Sequence, residues 1–151
     1  MLKGIPAIIG PELLRALDEM GHGDTLVLAD ANFPAESVGR DTLVVRCDGH
    51  GVPELLEAVL RLVPLDQYVE KPVTLMEKVP GDTVETPVWD VYDRIVAAAD
   101  GRGAEAVGRI DRFPFYEAAS RAYVVVATGE RAQYANVIVQ KGVVYESEEL
   151  A

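Results

Sequence analysis

Apolar positions along this chain switch repeatedly between a helical period and short continuous runs. Leu13, Leu14, Leu17 and Met20 recur at the three- and four-residue spacing of one buried helical face. Pro11 suits the first helical position, Glu12 lies beside the positive end of the helix dipole, and Gly21 ends the element. Thr25 to Ala29 is an apolar run of strand length, which predicts a strand covered on both sides. After a turn at Asn32-Phe-Pro-Ala, a second strand is predicted over Thr42 to Arg46. Pro53 then opens a helix with Leu55, Leu56, Val59, Leu60 and Val63 on one face, stopped by Pro64.

A third strand is predicted over Val73 to Met76, bounded by Pro72 and by Pro80-Gly-Asp82. Trp89, Tyr92, Ile95, Val96 and Ala99 return to helical spacing behind Pro87, and Val107 to Asp111 reads as a short strand. A brief helix begins near Phe113-Pro-Phe-Tyr116, and β-branched runs at Ala122 to Thr128 and Asn136 to Gln140 close the pattern. The alternation predicts an α/β class fold, one layered domain with helices on both faces of the sheet. The last two strands read as an antiparallel hairpin, so the sheet is expected to be mixed and mostly parallel. The domain spans residues 1–145, and the acidic 146–151 is expected to be a turn-like, frayed tail.

Composition narrows the class. The 151 residues are 49% apolar, enough for one domain with a proper core. Fourteen basic against twenty-five acidic residues give a net charge of −11, which disfavours nucleic acid and anionic lipid as partners. Cys47 is the only cysteine, which excludes an internal disulfide and fits a reducing compartment. The opening residues are too short and too interrupted for a signal peptide, and no apolar run approaches a membrane span. A cytoplasmic protein is expected.

Reactive side chains concentrate in Met20 to Pro34. His22 follows a helix C-terminus, where the dipole favours imidazolium and proton-donor behaviour; the alternative is a cap hydrogen-bonded to a loose carbonyl beside a left-handed glycine. Asp30 follows a buried strand, as a proton acceptor, a sugar-hydroxyl acceptor or an Asx turn near Asn32. Asp66 carries a similar ambiguity. Arg112 and Tyr116 bring a fixed charge and a phenol together at a helix start, against a packing alternative in which the phenylalanines are buried and Arg112 pairs with Asp111 or Glu117. Tyr134 and Asn136 alternate at the head of a strand and are expected on one face.

Other chemistries lack residues. Two histidines cannot form a three-histidine metal site, and His22, Asp24 and Asp30 offer only a weak hard-cation site. There is no Gly-x-Ser-x-Gly elbow and no phosphate-binding Gly-x-x-x-x-Gly-Lys loop. Cys47 reads as a small buried residue.

Met20-Gly-His-Gly-Asp24, Ala29-Asp30, Phe33-Pro-Ala35, Asp48-Gly49, Arg112-Phe-x-Phe-Tyr-Glu117, Ala127-Thr-Gly-Glu130 and Tyr134-x-Asn136 together resemble the L-fucose mutarotase and D-ribose pyranase family. The resemblance runs from Met1 to about Val143. Asn32-Phe-Pro, Leu65-Asp-Gln-Tyr68 and Pro87-Val-Trp89 look closer to the animal fucose mutarotases than to the enterobacterial ones. It implies that His22 is the general acid and Tyr116 a second catalytic group, with Asp30, Asp66, Arg112, Tyr134 and Asn136 contacting the sugar. Arg112 matches the fucose-type enzymes, whereas ribose-type enzymes have histidine in that neighbourhood; Ala135 replaces the glycine usual in the fucose type. It further implies a homo-oligomeric ring, typically a decamer, with Tyr134 and Asn136 supplied across a subunit contact.

The expected activity is interconversion of L-fucose anomers by acid–base ring opening and closure, with no metal or organic cofactor required. The alternatives are a D-ribose pyranase, a monosaccharide-binding module without catalysis, and a weak metal hydrolase.

Overall fold

The computed structural model describes residues 1–149. Its elements are α1 (Pro11–Glu19), β1 (Thr25–Ala29), α2 (Ala35–Val38), β2 (Leu43–Cys47), α3 (Val52–Leu60), β3 (Val73–Met76), α4 (Pro87–Ala99), β4 (Val107–Ile110), α5 (Arg112–Ser120), β5 (Val124–Thr128), β6 (Val137–Gln140) and α6 (Glu146–Glu149). The strands form one sheet in the order β2-β5-β1-β6-β3-β4. β2, β5 and β1 are mutually parallel, β3 and β4 are parallel, and β6 runs antiparallel to both of its neighbours, β1 and β3. Five strands therefore point one way and β6 the other.

Alternation along each strand divides the core into two layers, as a two-residue side-chain period requires. Leu26, Leu28, Val124, Val126, Val137 and Val139 face one cluster with the apolar sides of α1, α3 and α4. Val27, Ala29, Val125, Ala127 and Ile138 face a smaller one containing Ala35 of α2 with Phe115 and Ala119 of α5. Helices thus cover both faces, as the continuous apolar strands predict. No helix among the described residues is long and apolar enough to cross a membrane.

Three expectations change. The last two strands do not form a hairpin: β6 lies between β1 and β3, and β1 separates it from β5. Residues 129–136 carry the chain past the end of β1, where Ala31 N–H donates to Glu130 O at 2.8 Å. In that position β6 satisfies its backbone groups on both edges, pairing Val139 with Leu26 on one side and Val73 on the other. The sequence pattern predicts no element over Ala35–Val38, where the single-turn helix α2 follows the Asn32-Phe-Pro-Ala turn. The tail, expected to be turn-like, forms a helical turn over Glu146–Glu149, where Tyr145 N–H donates to Glu148 Oε2 at 3.0 Å; residues 150 and 151 of that tail lie outside the described residues.

Candidate functional site

Open α/β sheets bind ligands at the carboxyl ends of their strands. Here that edge carries Asp30 after β1, Met76 at the end of β3, Arg112 and Tyr116 in α5 just after β4, and Tyr134 and Asn136 on the approach to β6. All line one cleft of about 340 Å³. That volume lies within the roughly 300–1,000 Å³ of small-molecule sites.

Asp30 is buried at the floor. Its Oδ1 accepts Asn32 N–H at 3.0 Å, so the Asx turn exists, and its own N–H donates to Asn136 Oδ1 at 2.7 Å. Burial pushes its carboxyl above the ordinary aspartate value, against the pull of the Asn32, Phe33 and Ala135 N–H groups. Turn and site are one structure: the loop that fixes the carboxylate also aims it into the cleft.

On the wall, Arg112 Nε donates to Tyr116 OH at 3.1 Å. The packing alternative holds only for Phe115, which is buried; Phe113 is 76% exposed and Glu117 pairs with Arg121 at 2.9 Å. Among the described residues Arg112 has no ion pair.

Tyr134 and Asn136 do reach the same cleft, but not as alternate residues of a strand. β6 starts only at Val137, and Tyr134 adopts φ 56, the left-handed region that a bulky residue rarely enters. Helix α4 holds it there: Trp89 Nε1 donates to Tyr134 O at 2.8 Å and the buried Tyr92 hydroxyl to Ala135 O at 2.7 Å.

His22 and Asp66 sit at the opposite edge of the sheet. His22 precedes β1 whereas Asp30 follows it, and the strand between them spans roughly 16 Å at the usual rise per residue. Within one chain, therefore, residues 20–34 do not form one wall of a site; an extended strand holds their two turns apart. His22 Nε2 lies 3.0 Å from Oδ1 of the buried Asp66, and the ring tilts against Tyr68 at 5.3 Å between centroids. Asp66 also accepts Tyr68 N–H at 2.9 Å and Gln140 Nε2 at 3.0 Å. Desolvation alone would raise its carboxyl, but hydrogen bonds from Tyr68 N–H, His22 and Gln140 outweigh this and hold it below the ordinary value.

The capping role considered for His22 belongs to another residue. Lys141 Nζ donates to Leu17 O and Met20 O, at 2.7 and 2.6 Å, closing the end of α1. Gly23 takes the left-handed conformation (φ 87), and Asp24 Oδ2 accepts Gly21 N–H at 2.8 Å. With Asp24 so engaged and Asp30 a strand's length away, the weak cation site proposed for His22, Asp24 and Asp30 does not assemble.

Other residues that line or brace the cleft carry no functional signal in the sequence pattern. Asp82 and Val79 line the cleft, whereas the sequence marks the Pro80-Gly-Asp82 turn only as a strand boundary. The sequence pattern shows Trp89 and Tyr92 only as an apolar helix face; that an indole N–H and a phenol in such a face each need a buried acceptor is the available signal.

Residues 3–144 match the RbsD / FucU transport protein family. The chain belongs to this family. Among curated members it is 53% identical to the fucose mutarotase of Homo sapiens over 146 residues, covering 94% of each chain. The L-fucose mutarotase of Actinobacillus pleuropneumoniae is 50% identical over 143 residues, covering 95% of this chain and 97% of that one. Among solved members, FucU from Bifidobacterium longum superposes with a TM-score of 0.94 at 64% identity, covering 95% of this chain and all of the other. The fucose mutarotase of Streptococcus pneumoniae, in complex with L-fucose, superposes with a TM-score of 0.89 at 44% identity over the same shares.

Proposed function

We propose that this chain is an L-fucose mutarotase and that each of its sites is completed by two copies. The observation that carries this reading is the cleft itself: a buried carboxylate, a guanidinium, two phenols and an amide converge on a sugar-sized space in a chain sharing about half its sequence with fucose mutarotases.

Mutarotation needs a proton delivered to the ring oxygen and one removed from the anomeric hydroxyl. The C1–O5 bond then breaks, the aldehyde forms, and closure on the other face restores the hemiacetal. On this reading Asp30 and Tyr116 take the anomeric proton, with Arg112 beside the Tyr116 oxygen in support. His22, oriented by Asp66, supplies the acid; positioned groups of this kind each contribute about 10²- to 10⁴-fold.

Because His22 and the cleft occupy opposite edges, the acid reaches the sugar from a neighbouring copy. Two exposed aromatics, Tyr68 (70%) beside His22 and Phe113 (76%) beside Arg112, are available to line such a contact. Repetition of that head-to-tail contact closes a ring, expected to be a decamer.

Saturation-transfer NMR tests the activity. Added protein should accelerate exchange between the L-fucose anomers. Unchanged anomer exchange with sugar bound would leave only a binding module, and acceleration on D-ribose alone would point to a pyranase.

A further inference from the structure

Asp82 follows Gly81, whose φ of 87 makes the turn, and Val84 N–H donates to Asp82 Oδ1 at 2.9 Å, fixing the carboxylate. Its other oxygen, Oδ2, accepts the phenolic proton of Tyr134 at 2.5 Å. Val79 N–H donates to the same phenolic oxygen at 3.2 Å. A phenol oxygen has one proton and two lone pairs. The proton is committed to Asp82 and one lone pair to Val79, so the cleft is offered the remaining lone pair.

We propose that Asp82 is a positioning residue that makes Tyr134 a hydrogen-bond acceptor, so that the cleft selects sugars presenting a hydroxyl proton at the carbon facing Tyr134. This rests on reading the cleft as an L-fucose site. A carboxylate can only accept, so a charged Asp82 leaves the phenol no choice of direction. The charge states agree: the Tyr134 hydrogen bond holds Asp82 below the ordinary carboxylate value, and the Asp82 contact raises the Tyr134 phenol. Trp89 anchors the Tyr134 carbonyl from α4, which fixes the backbone from which the phenol reaches Asp82.

The direction of that hydrogen bond distinguishes a hydroxyl from a fluorine, which accepts weakly and cannot donate. The test is to titrate wild type, Tyr134→Phe and Asp82→Asn with L-fucose and with its monofluoro analogues at C2, C3 and C4, measuring Kd by calorimetry. In wild type, one analogue should bind about tenfold or more worse than L-fucose, because an acceptor meets an acceptor. In Tyr134→Phe that gap should shrink to about threefold or less, since no lone pair remains to be opposed. Asp82→Asn should narrow it too, because an amide N–H can donate to the phenol and release its proton toward fluorine. Equal gaps in all three proteins, with L-fucose bound, would overturn the role of Asp82 and leave the mutarotase reading intact. No binding of L-fucose by wild type would overturn that reading and this inference together.

Discussion

The Nε2 of His22 stands 3.0 Å from Oδ1 of Asp66, so that nitrogen faces a buried carboxylate. A carboxylate in that position fixes the ring, as an orienting group does for an acid–base histidine. His22→Ala should fold normally and lower anomer exchange by about 10²- to 10⁴-fold. Asp66→Asn should cost less, about tenfold, because the ring stays but loses its orienting charge. Saturation-transfer NMR reads both. Wild-type exchange in His22→Ala would remove His22 from the mechanism.

Asp66 also makes a prediction about acid stability. Its native carboxyl lies below the ordinary value. The stability it contributes is therefore fully present above the unfolded aspartate value and is lost as pH falls through the native one. Wild type should lose stability on acidification between about pH 5 and 2 more steeply than Asp66→Asn. Denaturant midpoints across that range check this, and parallel curves would contradict it.

Asp30 has the opposite sign. Burial raises its carboxyl, so a cost to stability sets in as pH rises from the unfolded aspartate value through the native one and persists above it. Asp30→Asn keeps an acceptor for Asn32 N–H and removes the buried charge. It should gain about 0.5–2 kcal/mol at neutral pH, a rise of a few degrees in Tm, while losing most exchange activity. A fall in Tm with activity retained would contradict both roles.

Trp89→Phe removes the donor to Tyr134 O without opening a large cavity. The expected cost is about 1 kcal/mol of stability. Because the lost bond holds Tyr134, which lines the cleft and is proposed to bind the sugar, in a left-handed conformation, KM for L-fucose should rise more than kcat falls. An unchanged KM with lowered stability would make Trp89 purely structural.

The layered fold was legible because each strand is a continuous apolar run and each long helix has one apolar stripe. The position of β6 was not: a strand's neighbours depend on which edges compete for it, and β1 and β3 together outcompete β5 for β6. The residues that line the cleft could be picked out as candidates by type and by family resemblance, yet their arrangement could not. His22 and Asp30 are eight positions apart, but an extended strand between them turns proximity in sequence into separation in space. Asp82 and Trp89 went unread for a related reason, since their partner Tyr134 is distant in sequence and reaches them only through a left-handed residue that no local pattern announces.

The central claim is that His22 of one copy works on sugar held in the cleft of another. Mixing subunits tests it: His22→Ala and Arg112→Ala proteins, each inactive alone, are unfolded together and reassembled. If sites are shared between copies, about a quarter of the sites in an equal mixture pair an intact His22 with an intact cleft, and anomer exchange returns to roughly that fraction of wild type. If each chain holds a complete site, the mixture stays as inactive as its parts.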